Sequence, residues 1–310
     1  MLANLLIFVS ALTLVIQGAT LATSYSVRLS KNFRLSKHVV SFIVVTFVAI
    51  LPEAVIVINS ALKGVPEFGL GTLFGSNIAD LTLVFAILIF FAGRNLKIKS
   101  ELLRDVKLYP LFLLLPLLFG LNGNYTRLEG VILIIVGLIF YYFIFKNGAE
   151  KIEDLGEREA KLKNIAFFLL SMVLLFTGSH FVVVSAVNLA NFLQIPAILI
   201  GIFIVGLGTI LPELFYSLKS VQKKDDDLAV GNLLGTVLAN ATIVVGVLAV
   251  LHPFSFPSKI IYVTGAFMLA ASVFLMSFMH SGKILTKREG FILLGFWILY
   301  VLAEFFVNSI

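Results

Sequence analysis

Long apolar runs separated by short polar stretches dominate the pattern of this 310-residue chain. A helix of about 20 apolar residues crosses the roughly 30 Å of hydrocarbon in a bilayer. Ten runs are long enough, and each predicts one membrane-spanning helix. They are residues 3–23, 38–62, 68–92, 106–122, 126–145, 165–190, 195–220, 228–252, 258–280 and 286–308. The pattern therefore predicts an all-α, multi-pass protein of the cell membrane.

Composition agrees with this class, because 60% of the residues are hydrophobic and only 13% are charged. The chain has no cysteine, which excludes disulfides, thiolate metal sites and a cysteine nucleophile. The net charge of +6 does not indicate a nucleic-acid partner, because the basic residues lie between the apolar runs. The partner that the composition predicts is the lipid bilayer.

Lys and Arg are distributed unequally between the two sides of the predicted spans. Of the 23, 20 follow spans 1, 3, 5, 7 and 9. Cytoplasmic loops carry the excess of basic residues in membrane proteins. We therefore expect both termini outside and the long polar stretch 146–164 in the cytoplasm.

The two halves of the chain repeat at a constant offset of 160 residues. Leu51-Pro52-Glu53 recurs at 211–213, and TRLEG at 126–130 recurs as TKREG at 286–290. Each half has five spans, an odd number, so the second half must insert upside down. The predicted organisation is an N-terminal five-helix repeat at 1–145, a cytoplasmic linker at 146–164 and an inverted five-helix repeat at 165–310.

Each Pro-Glu pair lies in the middle of an apolar run. A carboxylate at that depth is costly and is by default a functional hypothesis. Proline has no N–H, so it frees the carbonyl four residues earlier, at Val48 and Gly208. Transporters built from inverted repeats bind their substrates at the midplane, where broken helices meet. We therefore expect broken helices 2 and 7 to meet there, with Glu53 and Glu213 facing each other.

Asp80 is the third acid within the spans, and no Lys or Arg lies at comparable depth. Glu304, near the C-terminus, is expected to be solvated. Three buried carboxylates without a basic partner require a bound cation, protonation, or both. Oxygen ligands of this kind suit a hard cation such as Ca²⁺. The repeat matches Asp80 with Asn240, and Ser76 with Thr236 one helical turn earlier, while Gly71, Gly75, Gly231 and Gly235 have the spacing of close helix packing.

These motifs resemble the calcium/cation antiporter superfamily, and within it the prokaryotic sodium/calcium exchangers. Members read close to G-T-S-L-P-E in both halves, followed by a segment like G-N-x-x-G-S-N-x-x-D. The resemblance implies that Glu53 and Glu213 are the central calcium ligands. It also implies that Asp80, Asn240, Ser76 and Thr236 flank the ion sites, that Thr209 adds an oxygen, and that Ala49 offers its carbonyl.

The chain departs from the family pattern at both family serines, which are Ile50 and Ile210 here, and at one threonine, which is Ala49. Hydroxyl oxygens help to complete the sodium sites of such exchangers. Two facing carboxylates in a low dielectric also resist being ionised together, so protons are plausible substitutes for Na⁺. The resulting prediction is a secondary active antiporter that exchanges Ca²⁺, or a similar divalent cation, for Na⁺ or H⁺. We expect it to need no cofactor and to function as a monomer.

Two other functions stay open. The isoleucine substitutions favour a degenerate exchanger that binds cations without transporting them. A membrane enzyme with carboxylates as general acid and base is the weaker alternative, because H-E-x-x-H, G-x-S-x-G and cysteine are absent. His180 could shuttle protons, although a packing role is the more common one. Spans 1 and 6, with Gly18 and Gly178, are candidates for the helices that slide during transport.

Overall fold

The computed structural model describes residues 2–32, 46–98, 109–147, 161–282 and 284–309. Helices make up nearly all of this part of the chain. Within it, seven helical stretches are long and apolar enough to cross a membrane. The fold is therefore an all-helical, polytopic membrane fold, as predicted.

The helices are numbered in chain order. They are α1 Leu2–Asn32, α2 Thr46–Ala49, α3 Leu51–Leu62, α4 Pro66–Ala92, α5 Tyr109–Gly120, α6 Arg127–Asn147, α7 Lys161–Leu193, α8 residues 197–209, α9 Leu211–Gln222, α10 Asp226–Leu251, α11 residues 261–282 and α12 Lys287–Ser309. Four two-residue strands form two antiparallel pairs, β1 Leu96–Lys97 with β4 Ile284–Leu285, and β2 Asn124–Tyr125 with β3 Phe254–Ser255.

Two of the ten predicted spans are only partly covered by the described residues. The second was predicted from residue 38, and its described part consists of α2 and α3. The fourth was predicted from residue 106, and its described part is the 12-residue helix α5, with Pro116 inside it. Most of the predicted linker, residues 148–160, lies outside the described part of the chain.

Helical hydrogen bonding is interrupted before each Pro-Glu motif. Ile50, with φ −74° and ψ −6°, separates α2 from α3. Ile210, with φ −73° and ψ −12°, separates α8 from α9 in the same way. Pro52 and Pro212 stand at the second position of the following helix, where the missing N–H costs least. The predicted breaks in the two helices are therefore present.

Within the described residues, four π-helical turns interrupt the longer helices, and in each of them one extra residue widens the helix. Such turns are rare and occur often at functional sites. Two of them are separated by the repeat offset and begin at predicted site residues, Asp80 and Asn240. The four turns are Asp80–Val84, Gly201–Val205, Asn240–Val244 and Ile261–Gly265.

The repeated Thr-x-x-Glu-Gly motif starts α6 and α12. Glu129 accepts hydrogen bonds from the backbone N–H of Thr126 at 2.7 Å and from its hydroxyl at 2.8 Å. Glu289 accepts the same two bonds from Thr286, at 2.6 and 2.9 Å. Each pair is a capping box, which satisfies N–H groups that the first helical turn leaves without a partner. This local role explains why Thr and Glu are identical in both copies.

Two glycines allow α4 to pack backbone against backbone with α8. A side chain at Gly71 would place its Cβ 2.5 Å from the carbonyl oxygen of Ile198. A Cβ at Gly75 would clash in the same way with the carbonyl of Ile202. These contacts agree with the packing role that the small-residue spacing predicts. They bring α4, which carries Asp80, directly against the first half of the broken helix.

A partly buried ion pair, in which Asp226 is buried and Arg94 is partly exposed, connects the segment before β1 to the start of α10. Arg94 donates two hydrogen bonds to Asp226, from Nη1 at 2.6 Å and from Nη2 at 2.8 Å. The backbone N–H of Lys97 in β1 donates a third, at 2.8 Å. Charge-assisted hydrogen bonds of this two-pronged kind are shorter and stronger than hydrogen bonds between neutral groups. It fixes the end of α10 that leads toward Thr236 and Asn240.

The longest helices, α1 and α7, pack along each other. A Cβ at Gly18 would lie 3.2 Å from the backbone nitrogen of Leu175, and one at Gly178 would lie 3.0 Å from the carbonyl oxygen of Ala11. The two glycines therefore allow α1 and α7 to pack closely against each other. One side-chain hydrogen bond, from Asn59 to the hydroxyl of Ser179 at 2.5 Å, connects α7 to α3.

Candidate cation site

The two motif glutamates occupy equivalent positions in the first turns of α3 and α9. Glu53 is completely buried, and Glu213 is 1% exposed. None of their four carboxylate oxygens has a hydrogen-bond partner. A buried polar atom without a partner costs about 1–3 kcal/mol, and a charged one costs more. Each carboxylate therefore has oxygens that are available to bind a cation or a proton.

Asp80 joins these glutamates in one cluster. It is completely buried at the start of its π-helical turn, and both of its carboxylate oxygens also lack a hydrogen-bond partner. Asp80 interacts electrostatically with Glu53 and Glu213, and the two glutamates interact with each other. Asp80 and Glu213 approach closely, but the contact does not have the geometry of a hydrogen bond.

No buried Lys or Arg side chain is present in the described ranges to neutralise this cluster. In the same part of the chain, no three acidic or histidine side chains converge closely enough to hold one metal ion by themselves. A cation bound here would therefore need neutral oxygens in addition to carboxylates. Ca²⁺, which takes 6–8 oxygen ligands, fits such a mixed set.

Two threonines supply neutral oxygens next to the glutamates. The hydroxyl of Thr209, at the end of α8, neighbours Glu53 and donates to the carbonyl of Gly206 at 3.1 Å. The hydroxyl of Thr236, in α10, neighbours Glu213 and has no hydrogen-bond partner. The structure thus brings these two predicted residues together with the three acids.

The other predicted residues differ in what they offer to an ion. Asn240 is completely buried, one helical turn after Thr236, and neither of its side-chain atoms has a partner. Ser76 is also buried, but its hydroxyl donates to the carbonyl of Leu73 at 3.1 Å. Ala49 is buried at the end of α2, directly before the helix break, and has no side-chain oxygen.

Two tyrosines position α10 beside the cluster. The hydroxyl of Tyr109 donates to the carbonyl of Leu234 at 2.9 Å, and that of Tyr141 donates to the carbonyl of Gly235 at 2.6 Å. Both tyrosines are buried, and Tyr141 interacts electrostatically with Glu213. These bonds to consecutive carbonyls fix the turn that precedes Thr236.

Comparison with known proteins identifies the family. A model of the family described as "Sodium/calcium exchanger protein" matches residues 3–146 and 163–306, in two segments that cover most of the chain. The chain belongs to the sodium/calcium exchanger family. This confirms the resemblance that the paired Pro-Glu motifs and glycine-rich segments predicted. The family is one of ion exchangers, not of enzymes.

Individual relatives and solved structures are similar to this chain over most of its length. The inner membrane protein YrbG of Escherichia coli is 29% identical over 269 residues, which are 82% of this chain and 81% of YrbG. The structure of an H⁺/Ca²⁺ exchanger, CAX, superposes with a TM-score of 0.83 at 15% identity, covering 96% of this chain and 82% of CAX. The sodium-calcium exchanger NCX_Mj superposes with a TM-score of 0.70 at 21% identity, covering 96% and 97%.

Sequence reasoning missed several buried polar residues, including one each on α2, α9 and α10. Thr46, Ser217 and Asn232 are at most 1% exposed, and their side chains have polar atoms without partners. Spacing could have found two of them, because Ser217 lies four residues after Glu213 and Asn232 four residues before Thr236.

The prediction for Glu304 was wrong. Glu304 is 1% exposed, and it accepts a hydrogen bond from the hydroxyl of Thr264. The π-helical turn of α11 includes Thr264, which contacts α12 across the helix interface. The position of Glu304 near the end of the chain predicted exposure to solvent. However, α12 continues to Ser309, and the face of α12 that carries Glu304 packs inward. His180 is half-buried beside Phe181 and stays unassigned.

Proposed function

We propose that this protein is a secondary active antiporter that exchanges Ca²⁺, or a similar divalent cation, for Na⁺ or H⁺ by alternating access. The observation that carries the proposal is the cluster of Glu53, Asp80 and Glu213, three buried carboxylates whose oxygens have no hydrogen-bond partners. Buried acids of this kind are ordinarily neutralised by a bound cation or by protons. Membership of an exchanger family supports movement of the ion rather than permanent binding.

The proposed divalent site is centred on Glu53 and Glu213. Competition couples the two ions, because the carboxylates hold either one divalent cation or the counter-ions, never both. Cations take the place of a cofactor in this proposal, and one chain is sufficient for function. The flanking ligands that we assign are Asp80, Asn240, Ser76, Thr209, Thr236 and the carbonyl of Ala49.

We further propose ten spans arranged as two inverted repeats, 1–145 and 165–310, joined by a cytoplasmic linker at 146–164. The elements support this organisation, because α3 and α9 have the same length and lie 160 residues apart, as do two π-helical turns. The broken helices would meet at the midplane, and both termini would face outward.

The strand pairs give independent support for the number of spans. β1 follows the third predicted span and pairs with β4, which follows the ninth. β2 follows the fourth and pairs with β3, which follows the eighth. Paired strands must lie on the same side of the membrane, so an even number of spans must separate them. Six and four spans separate these pairs in the ten-span arrangement, and both numbers are even.

The oxygens that surround the acids bear on the choice between Na⁺ and H⁺ as the coupling ion. Ile50 and Ile210 are buried at the helix breaks, 5% and 3% exposed, where family members have serine. The replacement of these serines by isoleucine removes two hydroxyls that would help to complete a sodium site. The carboxylates, which can carry protons, are retained. CAX is described as an H⁺/Ca²⁺ exchanger and NCX_Mj as a sodium-calcium exchanger, so both couplings occur on this fold.

Ion flux into proteoliposomes tests the proposal. We expect ⁴⁵Ca²⁺ uptake driven by an outward Na⁺ gradient or by an outward H⁺ gradient, with the membrane potential held constant. The Glu213→Gln variant is the control and should show no uptake under either gradient. Equal uptake by this variant would contradict the assignment of the site.

A second candidate, a cation-binding protein without transport, is favoured only by the two isoleucines at the breaks. It predicts calcium binding by the purified protein together with an absence of gradient-driven flux. Measuring both properties on one preparation separates the two functions.

A further inference from the structure

The α9–α10 hairpin contains a second group of polar atoms without partners. Ser217 is completely buried, and its hydroxyl has no hydrogen-bond partner. Asn232 is 1% exposed, and neither its amide nitrogen nor its oxygen has one. Native proteins satisfy nearly all buried polar atoms, so such a group indicates a bound water or ion.

The hairpin geometry puts these two side chains together. Glu213 of α9 and Thr236 of α10 are neighbours. Residues four apart lie on the same face of a helix. The two helices run antiparallel through the short turn at 223–225. Ser217, four residues after Glu213, therefore faces Asn232, four residues before Thr236.

The first half of the chain verifies this register. Glu53 and Ser76 are equivalent to Glu213 and Thr236. Moving two turns along each helix, seven residues in opposite directions, predicts a contact between Ser60 and Gly69. A Cβ at Gly69 would indeed clash with the hydroxyl of Ser60.

Depth along the helices also agrees. Ser217 and Asn232 lie about 8 and 9 Å from the hairpin ends of α9 and α10, counted at 1.5 Å per residue. Glu213 and Thr236 lie about 14 and 15 Å from the same ends. The new pair is thus one helical turn from the carboxylate cluster, in the direction of the turn at 223–225.

The equivalent pair in the first half has no unsatisfied atoms. Val57 replaces Ser217, and Thr72 replaces Asn232. The hydroxyl of Thr72 donates to the carbonyl of Phe68 at 3.0 Å. Only one of the two symmetry-related positions therefore has ligand atoms to offer, so the polarity is not required for packing of the hairpin.

We propose that Ser217 and Asn232 form a loading position for the transported cation, between the cytosol and Glu213. This inference rests on the proposed antiport function and topology, in which the turn at 223–225 is cytoplasmic. The hydroxyl and amide oxygens are neutral ligands that suit a partly hydrated hard cation. Without a charge of their own they hold the ion weakly, so that it can move on to the carboxylates.

The test measures the apparent KM for ⁴⁵Ca²⁺ separately at each membrane face, in inside-out and right-side-out vesicles from cells that express the protein. The double variant Ser217→Val and Asn232→Thr installs the residue pair that already packs in the first half. We expect the KM at the cytoplasmic face to rise about tenfold, as expected for the loss of one good ligand interaction, and the KM at the outer face to change less than about twofold.

Ser220→Ala is the matched control, because its hydroxyl lies in the same helix and already donates to the carbonyl of Tyr216 at 3.0 Å. An unchanged KM at both faces of the double variant would mean that the pair holds only water, and would overturn the inference. An equal rise at both faces would also overturn it, because the pair would then act through the central site.

If the double variant does not fold, Ser217→Ala alone should raise the cytoplasmic KM by about threefold, which again makes the result decisive. The outcome is separable from that of the proposed function. Absence of exchange by the unmodified protein refutes the antiport function, whereas exchange with no face-specific effect refutes only the loading position.

Discussion

Replacing Glu213 by Gln should have opposite effects on the stability of the protein without Ca²⁺ and on its stabilisation by Ca²⁺. Glutamine keeps the shape of the side chain and removes one charge from the cluster with Glu53 and Asp80. The empty protein should become more stable, because two repulsive interactions between buried acids disappear. Stabilisation by Ca²⁺ should be lost, because one of the two proposed central ligands no longer carries a charge.

The magnitudes follow from Coulomb's law. At about 4 Å and an effective dielectric of about 20, two unit charges interact by about 4 kcal/mol, so one carboxylate contributes about 8 kcal/mol to a divalent ion. Repulsion among the acids offsets roughly half of this, which leaves about 3–5 kcal/mol, or about 100- to 4,000-fold in affinity. Relief of repulsion in the empty protein is worth about 1–3 kcal/mol.

Thermal unfolding of the detergent-solubilised protein measures both effects. In the unmodified protein, Ca²⁺ at 100 times its Kd should add about 2.7 kcal/mol to the free energy of unfolding. We expect Glu213→Gln to raise the midpoint in chelator and to remove the shift caused by Ca²⁺. Glu304→Gln is the matched control, because Glu304 is equally buried but lies outside the cluster. A calcium-dependent shift that persists in Glu213→Gln would refute the reasoning.

Three further predictions concern packing, helix ends and pH. Gly75→Ala should cost about 1–3 kcal/mol or more in unfolding free energy, because its Cβ meets the carbonyl of Ile202, whereas Gly295→Ala has open space and should cost little. Thr126→Ala and Thr286→Ala should each destabilise by about 1 kcal/mol in thermal unfolding, and clearly unequal losses would argue against equivalent caps. Calcium affinity measured by calorimetry should fall as the pH is lowered, because binding requires ionised carboxylates, and a flat pH profile would contradict carboxylate ligation.

The repeated motifs were predictable because each one has a local physical cause. Proline lacks the N–H that a helix interior uses and favours a break just before it, so the breaks at Ile50 and Ile210 could be predicted from Pro52 and Pro212. The capping threonines bond to the first turn of their own helix. The closely packed glycines allow a neighbouring helix to approach the backbone. The intramembrane glutamates could be selected as candidate site residues because burying a charge is costly.

Other features depend on packing that the sequence pattern does not encode. The π-helical turns at Asp80 and Asn240 add one residue within runs that are apolar almost throughout, so no change of hydrophobic period marks the widening in the sequence. The burial of Glu304 requires the contact with Thr264 in another helix. The same limit applies to Ser76, whose hydroxyl could bind an ion or its own helix and here donates to Leu73.

The unsatisfied cluster also explains why an exchanger of this design must exchange. Alternating access requires the loaded site to pass through a state closed to both sides. When Glu53, Asp80 and Glu213 are empty and ionised, that closed state holds charges without partners, which costs several kcal/mol for each ion. A bound divalent cation or a set of counter-ions removes this cost, so the loaded forms cross and the empty form does not. In the proposed mechanism, the same three carboxylates therefore provide both the binding site and the coupling between the two ion movements.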